Sequence, residues 1–368
     1  MTTTTTRIVR PQIDTLREEI EALCSLGLPF HALLPPLLEK IKEFIPSEFV
    51  TCIWTPVGHA DELRAFSERS SNDSVVQRYL AEFVNKRENE TVTPFKEFIS
   101  RGAAVEDLAS FRGVERSELF NEILRPIGGT RAVRARLGLD ERAGVGTLTV
   151  SRSHDERPFN EEEIRLLESL TGFLDRAVRN NPSIMGYGSV SSRGVAMVKA
   201  GGEIVSTSSH ASANLLMANG VGLVSSKRKI KGALDQKLPK AVQAMVKKSL
   251  RENRMIQVPV ENQWGHFAFI LHPMKNKLGT TGELALVIEH REDQRLERFR
   301  MGREKGLSPQ DALVVTEFLN GSTLDETAGQ LGLTRETLEN RINGVYEKIG
   351  VQDRFGLSQA FNLQTTIY

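Results

Sequence analysis

The stretch GLTRETLENRINGVYEKIGV, Gly332 to Val351, decides how the rest of the chain is read. Leu338, Ile342, Val345 and Ile349 recur at helical spacing, which predicts a helix with one buried apolar side. Gly332 supplies a turn, and Thr334 stands where its hydroxyl can cap the first turn of the helix. On or beside the outer face are Arg335, Glu336, Thr337, Glu339, Asn340, Arg341, Asn343 and Lys348. A helix that presents its N-terminal half in this way has the shape that enters a major groove. Its acids pose the difficulty, because DNA is a polyanion.

The flanking sequence completes a set of four short helices. Ser308 caps the first, with Pro309 at a position where the missing N–H costs little and Asp311 in the first turn. Leu313, Val314 and Phe318 fill that helix, and Asn320-Gly321 ends it. Thr323 with Glu326 forms a capping box for the second. Leu324, Thr327, Ala328 and Leu331 form its inner face, with Ala328 small where two helices must cross closely.

These residues, in this order, resemble the LuxR/NarL-type (GerE) helix-turn-helix over residues 307–361. The likeness runs through Leu307, Ser308, Pro309 and Asp311, then Gly321, Ala328 and Leu331. It continues through Thr334, Thr337 and Leu338, then Lys348, Ile349, Gly350, Val351 and Arg354. The resemblance implies a double-stranded DNA-binding domain, expected to work as a homodimer. The residues expected to face the duplex are Thr334, Arg335, Thr337, Asn340, Arg341, Asn343 and Lys348. Two positions depart from the pattern: Glu339 stands where the family often has Lys or Arg, and Arg341 where it frequently has His. Residues 307–368 hold four basic and eight acidic side chains, a net of minus four. Phosphate neutralisation supplies most non-specific affinity, so this segment alone should bind weakly. The helix N-terminus offsets this in part, since its free N–H groups favour a phosphate. Glu339 can either accept from a cytosine or pair with Arg335 one turn away.

Upstream the chain divides into three further pieces. Residues 1–180 read as helices, a strand FVTCIWTPV, a helix from Ser74 to Lys86, a strand pair around Leu139-Asp140-Glu141, and a capped amphipathic helix from Asn160. Pro35 and Pro36 are expected in the first turn of the second helix. This order resembles a GAF-type sensor domain. A turn-forming cluster near Asn180 to Gly188 marks the break. Residues 181–290 read as strand, Gly-Gly turn, strand, short helix, amphipathic helix and three strands, with alternation along Trp264 to Leu271. That order resembles a PAS domain, loosely, since Lys199 stands near a place where the family often has an acid. Residues 291–306 read as a charged, solvated linker helix, or else as a dimerising coil.

GAF- and PAS-like folds often enclose a small-molecule pocket, which implies an effector. Cys52 and Trp54 on the central strand of the first piece, and Trp264, His266 and Phe267 on the sheet of the second, are the candidate lining residues, each also readable as packed core. A basic strip from Lys227 to Arg254 carries ten cations and two acids, a net of plus eight. It reads as a solvated helix face, or as an auxiliary phosphate contact, a site for an acidic ligand or a resting site for the acidic helices.

Composition sets the remaining bounds. The 368 residues are 39% hydrophobic and 26% charged, with a formal net charge of +1, so any polyanion binding must come from local patches. Cys24 and Cys52 form no CxxC pair, and the histidines lack zinc spacing, so neither a metal nor a cofactor is expected. MTTTTTRIVR has no apolar core and reads as a frayed tail, and no apolar run is long enough to span a membrane. With no P-loop, GxSxG or HExxH, no catalytic residue and no enzyme activity is expected. The sequence thus predicts a multidomain α+β protein: GAF-like and PAS-like α/β sensor domains followed by an all-α four-helix LuxR-type helix-turn-helix. The function expected is that of a cytoplasmic one-component transcription regulator sensing a small molecule or partner. The alternative is an interaction module whose acidic helices contact RNA polymerase or another regulator.

Overall fold

β1 (Phe49–Thr55) is buried along its whole length and forms the middle of the first sheet. The computed structural model describes residues 10–55, 62–67, 73–87, 91–100, 104–138, 144–179, 188–225, 237–262, 264–276 and 279–361. The N-terminal tail, the turn after Gly138, the cluster from Asn180 to Tyr187 and the basic residues Lys227, Arg228, Lys229 and Lys231 lie outside them. The chain forms two units, residues 1–183 with 222–231, and residues 184–221 with 232–368.

In the first unit β1 pairs with β2 (Arg64–Ser67) and β5 (Val145–Arg152). β5 pairs with β4 (Arg131–Leu137), and β4 with β3 (Val105–Asp107), all antiparallel. A short later strand, β8 (Leu223–Ser225), adds to the outer edge of β2. The sheet order is β3-β4-β5-β1-β2-β8. Strand alternation splits β1 between two cores. Ile53 packs with Val76, Leu80 and Phe95 from α3 (Asp73–Arg78), the turn after it and α4 (Phe95–Ser100). Trp54 faces the other way and meets Phe30 of α2 (Phe30–Phe44) edge-on at 5.7 Å.

Two helices differ from the expected form. α2 begins at Phe30, so Pro35 and Pro36 lie inside it rather than in its first turn. Each proline removes an intrahelical hydrogen bond. The burial of Phe30, Ala32, Leu33 and Leu34 offsets that loss and extends the helix ahead of them. The helix expected from Ser74 to Lys86 is α-helical only to Arg78 and continues as a π-turn, Tyr79–Phe83, which turns Leu80 and Phe83 into the core.

A buried ionic knot closes this unit. α1 (Arg10–Cys24) and α5 (Glu161–Arg179) pack together. Asn160 and Glu163 exchange the two hydrogen bonds of a capping box at the start of α5, at 2.9 and 3.0 Å. Glu163 also accepts from Arg152 Nη2 at 2.6 Å and from Arg157 Nη2 at 2.6 Å, and its side chain is 1% exposed. Arg152 Nε donates to the Pro46 carbonyl at 2.7 Å. Burial opposes ionisation of Glu163, but hydrogen bonds from Arg152, Arg157 and the Asn160 amide outweigh it and hold the carboxyl down at about 2.

The second unit carries a five-stranded antiparallel sheet in the order β7-β6-β11-β10-β9. Its strands are β6 (Ser192–Lys199), β7 (Ile204–Thr207), β9 (Ile256–Asn262), β10 (Gly265–Asn276) and β11 (Gly279–Arg291). In chain order within each unit, both sheets follow second-first-fifth-fourth-third, the first gaining β8 at its end. Phe267, Phe269 and Leu271 alternate along β10 and pack under α6 (Ser209–Ala218) and α7 (Lys240–Glu252). Gly194 of β6 has no room for a side chain: a Cβ there would lie 2.1 Å from the Ala211 nitrogen. Buried Asn214 ties α6 to the sheet, donating to the Ile288 carbonyl at 3.2 Å and accepting from the Ser192 hydroxyl at 2.7 Å.

The charged segment expected to be a solvated linker is α8 (Gln294–Glu304), and one face of it is buried. Leu296 and Phe299 pack inward, and Gly302 lets α8 approach Ala312 of α9 (Pro309–Leu319) so closely that an added Cβ would lie 2.9 Å from the alanine Cβ. α10 (Leu324–Leu331), α11 (Arg335–Ile349) and α12 (Arg354–Phe361) complete the helical part. Among the described residues no helix is long and apolar enough to cross a membrane.

Replacing Glu163 by Gln leaves the buried Arg152 guanidinium without its counter-charge. We expect a loss of about 3–5 kcal/mol of unfolding free energy, read by urea denaturation at neutral pH. In the native chain the folded carboxyl titrates below its ordinary 4.5. Its contribution is therefore complete above pH 4.5 and lost as the pH falls toward 2; the Gln variant should lose this part of the acid limb.

Candidate functional site

α10, the turn at Gly332 to Thr334 and α11 form one unit of local structure. Glu326 and Thr323 make the capping box of α10, and Gly332 ends it with φ 65°. The Thr334 hydroxyl accepts from the Thr337 amide at 3.2 Å and starts α11. Leu338, Ile342 and Val345 are buried, while Arg335, Thr337, Asn340, Asn343 and Lys348 are exposed and Arg341 is half-buried. The candidate DNA-facing residues therefore lie on the outside of α11, with Thr334 at its N-cap.

Their charges are largely matched within the domain. Arg335 Nε donates to Glu339 at 2.8 Å, and its Nη1 reaches Asp325 of α10 at 3.1 Å. Of the two roles open to Glu339, pairing with Arg335 is the one seen here. Arg341 Nη1 lies 3.1 Å from Asp311, whose other oxygen accepts from the Ser308 cap at 2.6 Å. Arg354 donates to the carbonyls of Phe318 and Ser322 at 2.5 and 3.2 Å and stacks 4.4 Å over the Phe318 ring. This leaves a surface of amides and hydroxyls, with paired arginines and the exposed Lys348. Such a surface can form directional hydrogen bonds but contributes little net positive potential.

The candidate pocket residues fall into two groups. Cys52 and Trp54 are buried on the α2 side of β1, and burial pushes the Cys52 thiol far up from its ordinary value. A small cavity of about 70 Å³ lies against the opposite face of the same strand. Its floor is three cross-strand pairs of β1 and β5: Phe49 with Ser151, Thr51 with Thr149, and Ile53 with Thr147. Val76, Tyr79 and Ile123 roof it. Thr51 Oγ1 is buried there without a hydrogen-bond partner among the described residues. Alternation along FVTCIWT separates Thr51 and Ile53 from Cys52 and Trp54, but not which side is hollow.

In the second unit Phe267 faces the core, with Trp264 from the turn before β10 packed against it, whereas His266 lies on the opposite face of the sheet. The Trp264 indole donates to the Val221 carbonyl at 2.9 Å. Phe267 is fully buried and stacks on His290 at 4.6 Å. Burial lowers the pKa of His266. Among the described residues no cluster of His, Cys, Asp and Glu could hold a metal ion.

No family model matches the chain, and no curated protein matches it. Distantly similar solved structures include the LBD domain of VqsR from Pseudomonas aeruginosa, at 17% identity over 48% of this chain and 100% of that one, with a TM-score of 0.33. SdiA of Escherichia coli is 13% identical over 88% of each chain, with a TM-score of 0.26. VqmA of Vibrio cholerae, described as a dimer and in the context of LuxR-type receptors, is 12% identical over 46% of this chain and 81% of that one, with a TM-score of 0.18.

The Thr334 cap is checked by Thr334→Ala. We expect a loss of about 1 kcal/mol of helical stability, read from a chemical denaturation curve followed by far-UV circular dichroism.

Proposed function

We propose that this chain is a cytoplasmic, homodimeric, one-component transcription regulator without enzyme activity. In this reading α9 to α12 are a LuxR-type helix-turn-helix, and the two α/β units are GAF-like and PAS-like sensors of a small molecule. The observation that carries the reading is α11: capped by Thr334, anchored by Leu338, Ile342 and Val345, and exposing Thr337, Asn340 and Asn343. Asparagine can bind an adenine edge through two hydrogen bonds, so base recognition here does not require a free cation. The shared strand order of the two sheets supports reading both as sensor modules, and the 70 Å³ cavity suits a very small effector.

Net charge favours one competing role. With eight acids against four bases in residues 307–368, the helical part also suits a basic protein surface, RNA polymerase included.

Footprinting and fragment selection on genomic DNA at low ionic strength separate the two. We expect a repeatable protected site. Asn340→Ala with Asn343→Ala should weaken it by at least about tenfold, at about 1–3 kcal/mol per base contact. Lys348→Ala should weaken all sequences alike and reduce the salt slope by about one. No retained fragment, together with co-purifying polymerase, would select the interaction module.

A further inference from the structure

The first unit holds a second hollow, which shares Leu108 and Leu124 with the small cavity described above. It is an open cleft of about 600 Å³ at the start of β4, bounded by the short turns between Leu108 and Arg116 and by the approach to α5. Arg131 and Thr130 line it. Arg131 Nη1 and Thr130 Oγ1 are buried, and neither has a hydrogen-bond partner among the described residues. A buried guanidinium nitrogen without an acceptor is costly, so an acceptor brought to Arg131 relieves that cost.

The sheet register sharpens this. Arg131 stands directly opposite Arg152 on the neighbouring strand. Like charges so placed repel. Arg152 is matched by Glu163, whereas Arg131 has no ion pair among the described residues. Arg112 and Arg116 stand on the exposed part of the same cleft. Of the two lining acids, Glu115 is exposed, and Asp107 accepts from the Ala109 amide at 2.9 Å. Phe111, Phe120 and Phe159 give the cleft an apolar wall, and Phe159 is held under the Arg152 guanidinium at 4.1 Å.

We propose that this cleft binds a small organic anion, a carboxylate or phosphate borne on a flat apolar body. The anionic group docks on Arg131 and Thr130, and the body lies against the phenylalanines. The proposal rests on the sensor half of the proposed function and is independent of its DNA half.

Isothermal titration of the full chain with 2-naphthoate, 2-naphthyl phosphate and neutral 2-naphthalenemethanol tests it. At least one anion should bind about tenfold or more tightly than the alcohol, as expected for a charge-assisted hydrogen bond. Whichever anion binds more tightly identifies the head group. Arg131→Met should bring that anion down to the level of the alcohol, and Thr130→Val should weaken it severalfold with an unchanged circular dichroism spectrum. If the Met variant does not fold, Thr130→Val and the double variant Arg112→Ala with Arg116→Ala carry the same expectation. Equal binding of anion and alcohol, no binding at millimolar ligand, or anion binding indifferent to these substitutions overturns the proposal. A DNA footprint that persists in that case leaves the regulator reading standing, so the two fail separately.

Discussion

A guanidinium shut away from water must be met by an anion, and for Arg152 that anion is Glu163. The pair joins the end of β5 to the first turn of α5, and the carbonyls of Pro46, Arg157 and Pro158 occupy further guanidinium hydrogens. Glu163 serves three partners at once: it completes the helix cap and accepts from both Arg152 and Arg157. Helix register, strand end and loop are therefore fixed by one carboxylate. Its neighbour across the ladder, Arg131, is half-buried beside an open cleft and has no such partner among the described residues.

The helical part handles charge the other way. Its cations are matched at the surface by nearby acids, Arg335 by Glu339 and Asp325, and Arg341 by Asp311. Exposed pairs of this kind add little to stability, so their effect falls mainly on the potential that a partner meets. A duplex approaching α11 would meet little long-range attraction and would depend on short-range hydrogen bonds. In the proposed regulator such recognition would be slow to form but selective, and a two-fold arrangement of copies would double the contacts.

Much of this was readable from the residues alone. The capping boxes at Asn160 and Thr323, the Thr334 cap and the Gly332 turn are local, decided within a few residues, and they occur as expected. The alternation of β10 was legible for the same reason. Features that depend on distant partners were not. Which face of β1 borders the 70 Å³ cavity depends on what α3 and its π-turn place above Thr51. The buried side of α8 depends on Ala312 of another helix, and a charge-rich string such as QRLERFRMGRE gives little hint of it. The extension of α2 ahead of Pro35 was hidden because burial of Phe30 to Leu34 outweighs what the prolines remove.

β8 imposes an order on the chain that its length does not suggest. The first sheet is finished only by Leu223–Ser225, after the chain has already laid down β6, β7 and α6 of the other unit. Ser67 accordingly finds the acceptor for its amide at Gly222, 2.9 Å away. A fragment ending near residue 183 would leave the hydrogen-bonding rim of β2 uncovered and prone to recruit a foreign strand. The two units therefore cannot be severed by a single cut without leaving one of them unfinished. Ribosomal synthesis must likewise extend well into the second before the first sheet can close.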